Sequence, residues 1–139
     1  MIELTSAIAL LVTSVFGPAT AVAQDVSTSD NTQSKAAIES PETLATYVQA
    51  YFAETPILAK VSMCESGLRQ VGDDGQVLRG KVNHDDVGLM QINEHYHGDK
   101  AKSLGMDLET VKGNLAYAKY LYDQEGTAPW SASSPCWNK

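Results

Sequence analysis

The stretch from Thr55 to Gly67, TPILAKVSMCESG, predicts one complete helix with a carboxylate near its end. A Thr-Pro pair is typical of a helix start, and a glycine is typical of a helix end. Leu58, Val61 and Leu68 lie seven residues before, four residues before and three residues after Glu65. Because these spacings place side chains on one helix face, we expect Glu65 to point toward the apolar side of the helix.

This position of Glu65 has a chemical consequence. A carboxylate in apolar surroundings without a partner favours its neutral form, so we expect its pKa to be raised. A carboxyl group that stays protonated near neutral pH is what general acid catalysis requires. The alternative is a structural glutamate that caps a neighbouring loop or pairs with Arg69.

Further helices are predicted on both sides of this stretch. Ser40-Pro41-Glu42 has the capping pattern of a helix start, and this helix is expected to run to Ala53. The run Gly88 to Glu94 is interpreted as a short helix. A last long helix is expected from Asp107 to about Gln124. Its apolar face is predicted to contain Leu108, Val111, Leu115, Ala118 and Tyr122.

Residues 67–87 are rich in glycine and aspartate and interrupt the helical pattern. The segment Val71 to Val82 contains Asp74-Gly75, which is a typical hairpin turn, between short alternating segments. We therefore predict a mainly α (α+β) fold with one small β-hairpin in residues 40–139.

The first residues resemble an export signal. Ala7 to Phe16 is an apolar run of about ten residues, followed by a Gly-Pro break and the Ala-x-Ala pattern at 21–23. The charge pattern is atypical for a signal peptide, since no Lys or Arg precedes the apolar run. The alternatives are an uncleaved membrane anchor and a buried helix. We predict a signal peptide at 1–23, a polar linker at 24–39, export of the protein, and no stable membrane insertion after cleavage.

The chain contains two cysteines, Cys64 and Cys136. In an oxidising compartment such a pair tends to form a disulfide, which here would close most of the domain into a loop. Two free buried thiols are the alternative.

Composition excludes several classes of function. The 139 residues suffice for one domain, and we expect a monomer. The net charge of −7 argues against a nucleic-acid binder and against electrostatic attachment to anionic lipid. A short stretch contains His84, Asp85, Asp86, His95 and His97, and the pair His95-x-His97 has a spacing compatible with zinc, but neither an HExxH motif nor a full EF-hand pattern is present. We therefore expect ordinary polar surface there, with neither a metal nor a cofactor.

The run Asp86 to Asn93, DVGLMQIN, offers groups suited to a sugar. Gly88 lets backbone approach a ligand closely. The amides of Gln91 and Asn93 suit hydroxyl and acetamido groups. Met90 would pack either on a sugar face or in the core.

Three runs together make the sequence recognisable. Met63 to Gly67, Gly88 to Asn93 and Asn114 to Leu121 resemble, in order and spacing, the motifs of the lytic transglycosylase SLT domain. The resemblance covers about Pro41 to Trp137. The Asp-x-Gly-Leu-Met-Gln-Ile-Asn form looks most like the small transglycosylases linked to secretion and conjugation machinery, and goose-type lysozymes share the same fold.

The resemblance implies a lysozyme-like fold, with Glu65 in a cleft between the helical lobe and the hairpin. The substrate would be the glycan strand of peptidoglycan, cut at the β-1,4 bond between N-acetylmuramic acid and N-acetylglucosamine. Glu65 would serve first as acid and then as base toward the C6 hydroxyl of the sugar, which closes a 1,6-anhydro ring. No cofactor or metal would be needed, and a secretion apparatus is a partner that this subgroup suggests.

Several positions match family residues near the bound sugars: Ser66, Met90, Gln91 and Asn93. Tyr117 or Tyr120 would line the cleft or belong to the core. The tyrosine that many members carry after the last helix is absent here. Trp130 would take its place by stacking on a sugar ring, or would simply pack the core.

A second carboxylate would change the reaction. An inverting hydrolase needs one about 6.5–9.5 Å from the acid to activate water. Asp85 and Asp86, or Asp73 and Asp74 on the hairpin, are the candidates, and one of them in the cleft would favour a lysozyme-type muramidase. All four are otherwise expected in a solvated acidic loop. A non-catalytic glycan-binding module is the further alternative.

Overall fold

The computed structural model describes residues 41–139. The predicted signal peptide and polar linker lie outside the described residues. The helices and strands, in chain order, are α1 (Pro41–Tyr51), α2 (Pro56–Ser66), β1 (Asp86–Val87), β2 (Ile92–Asn93), α3 (Glu94–Ser103), α4 (Val111–Glu125), a 3₁₀ helix (Ala128–Ser133) and α5 (Ser134–Trp137). The described chain is thus mainly helical with one small antiparallel sheet, in agreement with the predicted mainly α (α+β) class. No helix within residues 41–139 is long and apolar enough to cross a membrane.

Helix α2 has the boundaries predicted from the sequence. Pro56 occupies its first turn, and Gly67 ends it in the left-handed conformation with φ 64°. The backbone N–H of Gly67 donates to the carbonyl of Met63, which closes the last turn around Glu65. Leu58 and Val61 are fully buried, so the predicted apolar face does pack into the core.

The run Gly88 to Glu94 is not a helix, contrary to the sequence-based prediction. Asp86 pairs with Asn93 and Val87 with Ile92 across a tight turn in which Gly88 has φ 70°. Gly88 and Gln91, with φ of 70° and 47°, lie outside the right-handed helical region, and buried side-chain amides of Gln70 and Asn114 bind the backbone and hold this turn. The helix that follows, α3, starts only at Glu94, where the Asn93 side chain accepts from the N–H of Tyr96.

The predicted hairpin over Val71 to Val82 is much shorter in the structure. The Asp74-Gly75 turn is present, but only Val71 and Val77 form a bridge around it. Beyond this bridge the two arms of the hairpin no longer pair, and Arg79 forms a bridge with Val87 instead. The two-stranded sheet therefore lies at Asp86–Asn93 rather than in the predicted hairpin.

Helix α4 begins later than predicted. Thr110, not Asp107, is its N-cap, and the Thr110 hydroxyl accepts from the N–H of Gly113. Asp107 instead accepts from the N–H of Glu109 in the preceding turn. On the predicted apolar face Leu108, Leu115 and Ala118 are buried, whereas Val111 and Tyr122 are partly buried.

The predicted disulfide between Cys64 and Cys136 is present, with a Cα–Cα distance of 6.0 Å. It joins the last turn of α2 to α5. The hydrophobic core contains side chains from α1, α2, α4, the β1–β2 turn and the C-terminal segment, including Phe52, Leu58, Leu89, Leu115 and Trp137. The end of the chain is therefore packed directly against the helix that carries Glu65.

Candidate active site

Glu65 lies half-buried in the last turn of α2. Its Oε1 atom accepts a hydrogen bond of 2.5 Å from the hydroxyl of Ser133, at the end of the 3₁₀ helix. Desolvation by burial raises the pKa of Glu65 above its ordinary value of 4.5. The Ser133 hydrogen bond opposes this rise, and the nearby charge of Asp86 adds to it. The direction of this shift agrees with the expectation from the sequence, and burial is its main cause.

An open cleft of about 470 Å³ adjoins Glu65. This volume is typical of small-molecule sites. Its charged and amide lining consists of Glu65, Arg69, Arg79, Lys81, Asn83, Asp86 and Gln91. The cleft thus combines one carboxyl of raised pKa with cationic and amide donors.

Two glutamates that do not line the cleft hold the side chain of Arg79 in place. Its guanidinium contacts Glu94 at 2.5 Å and Glu109 at 2.9 Å. Arg69 bonds the carbonyl of Ser66 through Nε at 3.2 Å and lies 3.6 Å from Asp73. These contacts hold the two guanidinium groups at the cleft wall.

The predicted sugar-binding residues do not all lie in the cleft. Gln91 lines it, and its amide also donates to the carbonyl of Gly88 at 2.9 Å. Ser66 lines it as well, but its buried hydroxyl donates to the carbonyl of Ser62 and accepts from the N–H of Arg69. Asn93 is occupied elsewhere, since it caps α3 and donates to Asp86 at 2.8 Å.

Met90 and Trp130 lie in the core. Met90 is fully buried, and Trp130 is 4% exposed. The indole N–H of Trp130 donates to the carbonyl of Met90 at 2.9 Å. Of the two interpretations of Trp130, packing in the core matches its position, and stacking on a sugar would need a different conformation.

The two tyrosines of α4 are outside the lining of the cleft. Tyr117 is buried, and its hydroxyl lies 3.2 Å from Nδ1 of His97. Tyr120 is partly buried, with its ring 5.4 Å from that of Tyr117. Both therefore contribute to packing of α4 in this conformation.

Asp86 is the one candidate for a second carboxylate that lines the cleft. Asp85, Asp73 and Asp74 are exposed, and none of the three belongs to the lining. Among residues 41–139 no group of three His, Cys, Asp or Glu side chains is placed to hold a metal ion.

Ser133 is the site residue that sequence reasoning missed. It belongs to a Ser-rich run, SASS, which resembles an ordinary loop. The one available signal was its position three residues before Cys136, because a bond from Cys136 to Cys64 brings this segment beside Glu65.

No protein-family model, curated protein or solved structure matches this chain. The family resemblance therefore depends on the three sequence runs alone.

Proposed function

We propose that this protein is a peptidoglycan lytic transglycosylase with a lysozyme-like fold. The observation that carries the proposal is Glu65: a half-buried carboxyl with a raised pKa, hydrogen-bonded to Ser133 and open to a cleft of about 470 Å³. A raised pKa favours the protonated form of the carboxyl, which is the form that a general acid requires. The three-motif resemblance supplies the substrate class, the glycan strand of peptidoglycan.

In the proposed reaction Glu65 gives its proton to the oxygen of the β-1,4 bond as that bond breaks. The N-acetyl group of the muramic acid stabilises the positive charge that develops on the sugar. Glu65, now ionised, accepts the proton of the C6 hydroxyl, whose oxygen attacks C1 and closes the 1,6-anhydro ring. The carboxyl ends as it began, protonated, and no water is consumed.

The rest of the cleft suits the substrate. The amides of Gln91 and Asn83 can bond sugar hydroxyl and acetamido groups. Arg69 and Lys81 can bind carboxylates of the lactyl group or of the stem peptide, whereas Arg79 is already paired with Glu94 and Glu109. The cationic lining thus gives a net-acidic protein a local site for an anionic glycan.

A second candidate function is favoured by Asp86. This carboxylate lines the same cleft and is near enough for its charge to raise the pKa of Glu65. An acid and a carboxylate base flanking the bond are what a lysozyme-type muramidase needs to activate water. The bond between Asp86 and the amide of Asn93 holds this carboxylate in place.

Mass spectrometry of the muropeptides released from purified peptidoglycan tests both functions. A transglycosylase gives products with 1,6-anhydro ends, one water lighter than hydrolysis products, whereas a muramidase gives reducing ends. Glu65→Gln is expected to lower the rate at least about 100-fold. Glu54→Gln, an exposed glutamate outside the cleft, is the matched control and is expected to keep the rate.

Asp86→Asn separates the two reactions. A transglycosylase is expected to retain most of its activity in this variant, and a muramidase to lose it. If the wild-type protein binds glycan strands without cleaving them, it is a binding module and the enzyme proposal is wrong.

We also propose export of the protein to a compartment that contains peptidoglycan. The predicted signal peptide and the Cys64–Cys136 disulfide support this, because disulfides persist in oxidising compartments. The glycan strand is then the principal partner, and a secretion apparatus is a partner suggested by the resemblance alone.

A further inference from the structure

The hydroxyl of Ser133 has three hydrogen-bond partners. It lies 2.5 Å from Oε1 of Glu65 and 3.1 Å from the carbonyl oxygen of Trp130. The indole N–H of Trp137 donates to it at 2.9 Å and also to the carbonyl oxygen of Trp130 at 3.2 Å. A serine hydroxyl has one proton and two lone pairs, so it cannot donate to Glu65 and to Trp130 at the same time.

These distances allow two complete arrangements. When Glu65 is ionised, Ser133 donates its proton to the carboxylate. When Glu65 is protonated, the carboxyl donates to Ser133, and Ser133 turns its own proton to the carbonyl of Trp130. The N–H of Trp137 donates to one lone pair of Ser133 in both arrangements, so no buried donor loses its partner.

We propose that Ser133 is a positioning residue that holds Glu65 in both of its protonation states by turning one hydroxyl proton between Glu65 and Trp130. The inference rests on the proposed function for its purpose. A carboxyl that acts first as acid and then as base has to keep one geometry while its proton leaves and returns. The burial of Glu65 and the effect of this hydrogen bond on its pKa agree with such a role.

The other charged groups in the lining of the cleft come from outside the C-terminal segment. They are Asp86 of β1 together with Arg69, Arg79 and Lys81. The segment Ala128–Trp137, which packs against α2, contains no charged residue. The influence of this segment on the protonation of Glu65 therefore comes from the hydrogen bond of Ser133 and not from a charge.

The two tryptophans of the chain provide a test that needs no substrate. Two indole N–H signals are expected in a proton–nitrogen NMR spectrum. The N–H of Trp137 is shared between Ser133 and the carbonyl of Trp130, so its signal reports on where the hydroxyl proton points. The indole of Trp130 donates to Met90 and serves as an internal control for the fold. Carbon-13 labelling of glutamate gives the titration of Glu65 directly.

In the wild type, the Trp137 signal is expected to move with the same midpoint as the Glu65 carboxyl. Glu65→Gln should abolish that movement. Ser133→Ala should remove it and raise the pKa of Glu65, because the carboxylate loses a donor. Ser133→Thr, which keeps a hydroxyl, should restore both. Ser131→Ala, an exposed serine of the same segment, is the matched control and should behave as the wild type.

The inference is overturned if the pKa of Glu65 is unchanged in Ser133→Ala, or if Trp137 follows Glu65 equally well without the hydroxyl. The activity profile adds a second measurement: loss of Ser133 should shift the fall of activity at high pH to still higher pH. A wild type that never cleaves peptidoglycan would refute the proposed function, while the NMR titration would still decide the role of Ser133.

Discussion

Cys136 is bonded to Cys64, the residue directly before Glu65 in the chain. The bond places the C-terminal segment against the last turn of α2. Ser133, three residues before Cys136, thereby reaches the carboxyl of Glu65. The covalent link and the hydrogen bond lie side by side, so the geometry of the site depends on an attachment 72 residues away in sequence.

Loss of this disulfide is expected to lower stability substantially. In the chain-entropy model a loop of this length contributes about 4 kcal/mol. The double variant Cys64→Ala with Cys136→Ala should therefore unfold more than about 10 °C below the wild type in calorimetry. A reducing agent should destabilise the wild type and leave the double variant unaffected. Equal unfolding temperatures for variant and wild type would contradict this account.

Removal of the buried amide of Asn114 should also be costly. Its oxygen accepts from the N–H of Met90 at 2.9 Å, and its nitrogen donates to the carbonyls of Val87 and Leu108. Asn114→Ala leaves three buried backbone groups without this partner, so we expect a loss of about 3 kcal/mol or more in urea unfolding. The exposed Asn138→Ala is the matched control, expected to change the free energy of unfolding by less than about 0.5 kcal/mol. A small effect of Asn114→Ala would show that water replaces the amide.

The turn glycine Gly88 should not tolerate a methyl group. A Cβ there would lie 2.6 Å from Oε1 of Gln70 and 2.7 Å from Nδ2 of Asn114, and φ is +70°. Gly105 has the same φ of +70°, but a Cβ there meets nothing within 4 Å. Gly105→Ala should therefore cost only the backbone term of about 1–2 kcal/mol, and Gly88→Ala clearly more. Equal losses in urea unfolding would show that the turn can shift to make room.

The raised pKa of Glu65 predicts a pH-dependent effect on stability. Between the ordinary value of 4.5 and the folded pKa, the folded chain holds a proton that the unfolded chain has lost. The contribution of Glu65 to stability therefore falls as pH rises through this window. We therefore expect the free energy of unfolding of Glu65→Gln, measured in urea and taken relative to the wild type, to be higher at pH 7 than at pH 4. The opposite trend would mean that the folded carboxyl is stabilised in its ionised form.

Local signals in the sequence were sufficient for part of this structure. The Thr-Pro start and the glycine end of α2 determine the position of Glu65, and an even pair of cysteines predicted the disulfide that the structure contains. The cap signals at the two ends of α2 act over a few residues, so they did not depend on distant contacts.

The failures of prediction have a common physical cause. Gly88 to Glu94 has helical spacing, but the buried amides of Gln70 and Asn114 hold Leu89 and Met90 in a turn in which Gly88 and Gln91 have positive φ. Gln70 and Asn114 lie 19 residues before Leu89 and 24 residues after Met90, so no local sequence pattern predicts these contacts. Ser133 was missed for the same reason, since its significance depends on a distant cysteine.

The two amide side chains that hold the β1–β2 turn have a consequence for its motion. The N–H groups of Leu89 and Met90 are bonded to side chains of Gln70 and Asn114, which are themselves buried. The turn cannot open alone without breaking contacts to distant parts of the domain. These two amide protons should thus exchange with solvent only when the whole domain unfolds, and a peptide of this run alone should have no native shape.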